Sequence, residues 1–176
     1  MDKRYVTINT SISSDGLGVP TVSIYFSYCD KKDKTGSFCE SCQNPELQHD
    51  GEGYLLTLDE ILEVIDSKYK FMNNIYGKCE IALIGGEPLA EINREFSKCI
   101  SEIYPTILYT WRDLSTLIDI DTSTYNRIVC GEYIEELKTE GYILGSTNQY
   151  VVDNKKEIIL KYEGEQIDDN RKTWVE

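Results

Sequence analysis

Short runs rich in β-branched and aromatic residues alternate along this chain with two longer segments of helical period, and few folds accommodate that alternation. Arg4 to Asn9 and Thr21 to Tyr28 read as strands, separated by the turn chemistry of Ser13-Ser14-Asp15-Gly16-Leu17-Gly18. Thr57-Leu58-Asp59-Glu60 is a capping-box signature, and Leu58, Ile61, Leu62, Ile65, Tyr69 and Met72 then recur at helical spacing, which predicts a helix from about Leu58 to Asn73. Cys79 to Ile84 is a short apolar run ending at Gly85-Gly86. Leu89, Ile92, Phe96, Ile100 and Ile103 mark a second helix behind it.

Further along, Thr106 to Thr110 and Arg127 to Cys130 read as strands, Asp113 to Ile118 as a short helix, and Gly131 to Leu137 as helical in pattern. Tyr150 to Asp153 and Glu157 to Tyr162 read as a closing hairpin around Asn154-Lys155-Lys156. The expected fold is α/β, a mostly parallel sheet built from right-handed βαβ units. Ligands of such sheets sit at the carboxyl ends of the strands. Cys29, Gly85-Gly86 and Thr110 each end a predicted strand, so three polar features converge on one edge.

The 176 residues suit a single domain, expected over residues 1–162 and followed by a polar tail at 163–176, partly disordered. A chain of this length buries roughly 70% of the surface its unfolded form exposes, so it needs no metal merely to hold a core. No apolar stretch approaches a signal h-region or a membrane span, and the expected location is the cytoplasm. The formal charge of −13 opposes non-specific binding to nucleic acid and to anionic lipid. A protein or a small molecule is the expected partner. Walker phosphate loops, nucleophile elbows and HExxH motifs are absent, which sets aside kinase, hydrolase and zinc-protease readings.

Cys29, Cys39 and Cys42 form a C-x9-C-x2-C pattern some forty residues before Ile84-Gly85-Gly86-Glu87-Pro88. In a reducing compartment such cysteines are ligands or reactive thiols more often than disulfides. Three thiolates suit a [4Fe–4S] cluster whose fourth iron stays open to a substrate. The competing reading is a zinc site completed by His49, the single histidine, in a non-enzymatic zinc-stabilised binding module. Cys79, Cys99 and Cys130 fall in predicted strands or on an apolar helix face and read as buried small hydrophobes.

These residues resemble the radical S-adenosylmethionine superfamily, and within it the activating proteins of anaerobic ribonucleotide reductase. Cys39-Glu40-Ser41-Cys42-Gln43-Asn44-Pro45-Glu46 is similar to the second half of that family's cluster motif, and Gly85-Gly86-Glu87-Pro88 to its turn for the cofactor's amino group. Leu108-Tyr109-Thr110 followed by an aromatic resembles the end of the family's fourth strand. Ile128-Val129-Cys130-Gly131-Glu132-Tyr133-Ile134-Glu135-Glu136-Leu137 and Gly145-Ser146-Thr147-Asn148-Gln149 resemble its carboxyl-terminal segments. The resemblance runs from about Ser23 to Asp153. This chain departs from the superfamily's Cys-x3-Cys-x2-Cys by six extra residues before Cys39, and it carries Cys130 and Tyr150 where the family often has Asp and Arg. A longer loop costs little closure entropy, so three-thiolate ligation stays feasible.

The resemblance implies a partial (β/α)6-type barrel, with Cys29, Cys39 and Cys42 holding a [4Fe–4S] cluster. It implies S-adenosyl-L-methionine as the second cofactor, bound by Tyr28, Ser41, Gly85, Gly86, Glu87, Pro88, Thr110, Asn148 and Gln149. No catalytic side chain is expected beyond these ligands. One electron from a flavodoxin-like donor would cleave the sulfonium to methionine and a 5′-deoxyadenosyl radical. That radical would take a hydrogen atom from a glycine of a much larger glycyl-radical enzyme, the anaerobic ribonucleotide reductase. A radical enzyme acting on a small molecule or peptide is the alternative within the same chemistry.

Overall fold

The computed structural model describes residues 3–32, 35–140 and 144–162. The proposed tail at 163–176 lies outside the described residues, as do Asp33 and Lys34 of the loop between Cys29 and Cys39. One eight-stranded sheet organises the chain: β1 (Arg4–Ser11), β2 (Thr21–Phe26), β3 (Tyr54–Leu56), β4 (Glu80–Gly85), β5 (Thr106–Thr110), β6 (Arg127–Cys130), β7 (Tyr150–Asp153) and β8 (Ile158–Lys161). Their spatial order is β3-β1-β2-β4-β5-β6-β7-β8, so the sheet is open, with β3 and β8 at its edges.

The α/β expectation holds at the centre, where β2, β4, β5 and β6 run parallel. The flanks differ. β1 and β3 on one side, and β7 and β8 on the other, pair antiparallel, so the sheet is mixed around its parallel centre. Three-residue β3 carries too little period-2 signal to be read from sequence.

Two α-helices cover one face. α1 (Leu58–Tyr76) starts at a reciprocal capping box: Glu60 N donates to Thr57 Oγ1 at 3.3 Å, and Thr57 N donates to Glu60 Oε2 at 2.7 Å. It ends at Gly77, which takes the left-handed conformation at φ 72. Ile61, Ile65 and Met72 of α1 bury against Val22, Ile24, Ile81, Leu83 and Leu108 of the sheet. α2 (Glu91–Ile103) buries Asn93, Phe96, Ser97, Ile100 and Ser101, a stripe rotated from the expected one. Ile92 and Ile103 are exposed, and the polar Asn93 and Ser97 take the inward positions.

The opposite face buries Ala82, Ile107, Val129 and Val151 under Leu17 of the β1–β2 loop and Leu144. Burial on both faces explains why Ile81-Ala82-Leu83-Ile84 is continuously apolar.

Two expected helices are absent. The β5–β6 crossover runs in turns: Leu117 N closes one helical turn on Asp113 O at 3.0 Å, but Asp113 Oδ1 also accepts from Ser115 Oγ and Thr116 N. Such local side-chain bonds compete with helix propagation. Between Gly131 and Leu137 only Glu135–Leu137 forms a 3-10 turn, because Leu137 O and Ile134 N are engaged by Thr147 N and Ser146 Oγ. No helix among the described residues is long and apolar enough to cross a membrane.

Candidate active site at the carboxyl edge of the parallel strands

Parallel register sets the site. Phe26 of β2 lies beside Gly85 of β4, and Thr110 of β5 beside Cys130 of β6, so the segments that follow these strands emerge along one edge. Tyr28, Cys29, Gly86, Glu87, Thr110, Trp111, Arg112 and Gly131 are therefore neighbours by topology.

The Cys29 turn and the glycine turn form one interlocked unit. Gly86 N donates to Phe26 O at 2.8 Å and Glu87 N to Tyr28 O at 2.9 Å. A Cβ on Gly85 would stand 2.5 Å from Phe26 O, and one on Gly86 would stand 2.3 Å from Tyr28 O and 2.6 Å from Leu47 O. Both glycines thus serve close backbone packing inside the protein. From α2, Asn93 Nδ2 donates to Ser27 O and Glu87 O, each at 3.0 Å. Tyr28 sits at φ 82, a left-handed conformation that tyrosine rarely takes and that costs on the order of 1–2 kcal/mol. It persists because its N–H donates to Leu47 O at 2.8 Å while its carbonyl accepts from Glu87.

Glu87 is fully buried and internally satisfied. It accepts from Thr110 Oγ1 at 2.9 and 3.0 Å, from Trp111 N at 3.2 Å and from Leu89 N at 3.0 Å, and it pairs with Arg112 Nη1 at 2.9 Å. Burial pushes its carboxyl up to about 7, against the opposing pull of the Arg112 guanidinium. Arg112 also donates through Nη2 to Asp30 Oδ2 at 2.5 Å, and Trp111 Nε1 donates to Asp30 Oδ1 at 3.1 Å. The Arg112 guanidinium lies 4.7 Å over the Trp111 ring. Lys31 pairs with Glu132 after β6. Charged groups that follow four strands, β2, β4, β5 and β6, are knitted together beside Cys29.

The sequence-derived residues fall into two groups. Tyr28, Cys29, Gly85, Gly86, Glu87, Pro88 and Thr110 share this edge, with Glu87, Pro88 and Thr110 buried. Asn148 and Gln149 belong to the segment before β7 and bond to Gly131 and Glu132: Gln149 Nε2 donates to Gly131 O at 3.0 Å, and Asn148 Nδ2 to Glu132 O at 2.9 Å. Ser41 is exposed on the Cys39–Cys42 arm. His49 is exposed with its ring 4.7 Å from that of Phe38.

All six cysteines are free thiols. Cys79 and Cys130 are buried as expected, whereas Cys99 is only half-buried, a correction to its reading as core. Cys29, Cys39 and Cys42 are half-buried. Burial pushes the Cys29 thiol up to about 12, opposed by a bond from the Lys31 backbone and reinforced by charge at Glu87, Asp30 and Cys39.

As a donor set, three thiols with no fourth side chain fit a cluster with one open iron. Gln48 brings two of them onto adjacent backbone: its carbonyl accepts from Cys29 N at 3.1 Å, and its Nε2 donates to Cys39 O at 3.0 Å. Among the described residues, no three His, Cys, Asp or Glu side chains are gathered closely enough to hold a metal ion. Cys29, Cys39 and Cys42 are thus tethered to one loop region but not gathered into a metal-binding group in this structure.

Sequence reasoning missed Asp30, Asn93 and Arg112, and marked Trp111 only as the aromatic after Thr110. Asn93 carried a signal as a polar residue three before Phe96 on the inward stripe of α2. No protein-family model matches the chain, and no curated protein matches it in sequence.

Proposed function

We propose that this chain is a cytoplasmic radical S-adenosylmethionine enzyme of the glycyl-radical-activating type. The observation that carries the reading is the interlock of the Cys29 turn with Gly85-Gly86-Glu87 at the carboxyl ends of β2 and β4. A cysteine-bearing turn and a glycine turn that share hydrogen bonds bring the proposed metal ligand and the proposed cofactor turn to one place. The open α/β sheet is then read as the partial barrel of that superfamily.

Cys29, Cys39 and Cys42 would hold a [4Fe–4S] cluster, and the Gly85-Gly86-Glu87-Pro88 turn the S-adenosylmethionine; given an electron from a reduced donor, these groups would supply radical chemistry directed at a glycine of the partner.

The protein's own work is positioning. Glu87 and Thr110 tie the glycine turn to the end of β5. Arg112 holds Glu87 and Asp30 together behind Cys29. A flavodoxin-like donor and a large glycyl-radical enzyme, the anaerobic ribonucleotide reductase, are the proposed partners.

Anaerobic protein loaded with iron and sulfide, given dithionite and S-adenosylmethionine, should form 5′-deoxyadenosine. Cluster-loaded protein that forms none overturns the reading.

A further inference from the structure

β1 is an edge strand over its second half. Tyr5 O accepts from Ser27 N at 3.0 Å, so the odd positions of β1 turn their backbone toward β2 and the even positions turn theirs outward. β3 pairs with Arg4 to Val6 alone, and Gly53 comes so close to Val6 that a Cβ there would stand 2.6 Å from its carbonyl oxygen. From Ile8 to Ile12 no strand among the described residues lies on this outer side. The stretch is also unguarded. Thr7-Ile8-Asn9-Thr10-Ser11 has no charge, no Pro and no register shift, the devices that keep free edges from pairing. At the other edge, β8 carries Lys161 and a register shift in its pairing with β7.

α1 presents an apolar flank above the same edge. It packs across β1 and β2, and Tyr69 meets the ring of Tyr104, which follows α2, at 5.1 Å between centroids. Phe71 and Ile75 lie on the opposite flank of the helix from Tyr69, toward β1, and are 62% and 56% exposed. Ile12, at the end of the free edge, is 63% exposed. Charge along α1 is segregated: Asp59, Glu60, Glu63 and Asp66 precede Lys68 and Lys70, with Lys78 just beyond the helix.

We propose that this face binds a second copy of the chain about a two-fold axis, β1 pairing antiparallel with its equivalent around Thr10 and α1 packing antiparallel against its own. The distances agree. Thr10 lies about 20 Å along β1 from Arg4, and Phe71 about 20 Å along α1 from Leu58. Arg4 pairs with Leu56, so the two elements start near one level and a single axis runs beside both residues. With strands about 4.8 Å apart, two helices each seated between β1 and β2 stand about 10 Å from one another, the spacing of packed helices. Antiparallel helices set each acidic first half against the other copy's lysines. The contact is isologous and closes at two copies. Because β1 reverses across the axis, the two carboxyl edges face opposite ends and both candidate sites stay accessible. The inference goes beyond the functional reading and does not depend on it.

Sedimentation equilibrium of the full chain should give the mass of two chains. Thr10→Pro removes an N–H that β2 does not use, and Phe71→Glu places a charge on the exposed flank of α1. Each variant should raise the dimer dissociation constant about tenfold or more while keeping the wild-type far-ultraviolet circular dichroism. Thr10→Cys should cross-link two chains on mild oxidation, since facing residues of a hydrogen-bonded antiparallel pair lie about 5.5 Å apart, within disulfide reach. Glu157→Cys, at the opposite edge, should cross-link no more than wild type. A monomeric wild type overturns the proposal and leaves this edge to a strand of another protein. A dimer that both variants leave unchanged also overturns it, as does cross-linking of Thr10→Cys no better than that of Glu157→Cys. Where Phe71→Glu fails to fold, Thr10→Pro and the cross-link decide.

Discussion

Glu87 Oε1 and Arg112 Nη1 lie 2.9 Å apart with both side chains buried, an ion pair at the end of the parallel strands that lacks hydrogen-bond alignment. The pair joins the glycine turn after β4 to the segment after β5, and Arg112 carries the link on to Asp30. A carboxylate so placed has a proton equilibrium that depends on folding.

Glu87 has its carboxyl raised from 4.5 to about 7 by burial. Between those values the folded chain keeps a proton that the unfolded chain releases, so this contribution is full below about 4.5 and is lost as pH rises towards 7. The loss is on the order of 3 kcal/mol across the window. Urea midpoints of wild type minus Glu87→Gln should fall over that range, and Arg112→Met should extend the fall to higher pH by removing the opposing charge. A flat difference would contradict the burial of an ionisable Glu87.

Asn93 bridges two turns with one amide, so Asn93→Ala leaves Ser27 O without this donor and Glu87 O likewise. Destabilisation by about 2–3 kcal/mol is expected, well above that of an exposed helix asparagine. Chemical denaturation checks this, and a cost below about 0.5 kcal/mol would mean the bridge is immaterial.

Gly86→Ala and Gly77→Ala separate crowding from backbone conformation. At Gly77 a Cβ meets open space, and the left-handed φ of 72 should cost about 1 kcal/mol. At Gly86 it meets the Tyr28 and Leu47 carbonyls, so about 2–3 kcal/mol is expected together with displacement of the Cys29 turn. Equal costs at the two positions would show that the turns are less tightly interlocked than described.

Much of the fold was legible because its central strands are short, apolar and β-branched: Thr106 to Thr110 and Arg127 to Cys130 fall where the sequence puts them. The α1 start was readable from its capping box. α2 misled because Ile92 and Ile103 complete an apolar period, yet the helix turns Asn93 and Ser97 inward to serve Ser27 O, Glu87 O and the Tyr125 hydroxyl. Asp113 shows the same limit, since its side chain diverts a helical pattern into turns. Cys29 and Gly85-Gly86 could be placed on one edge because each follows a predicted strand. The Asp30–Arg112 bond spans 82 positions, and no local pattern announces it.

The most direct test of the central claim is iron and acid-labile sulfide content after anaerobic reconstitution, compared between wild type and Cys39→Ala. The account predicts about four iron and four sulfide per wild-type chain and loss of both in the variant. A wild-type chain that binds neither, or a variant that keeps the full complement, would contradict it.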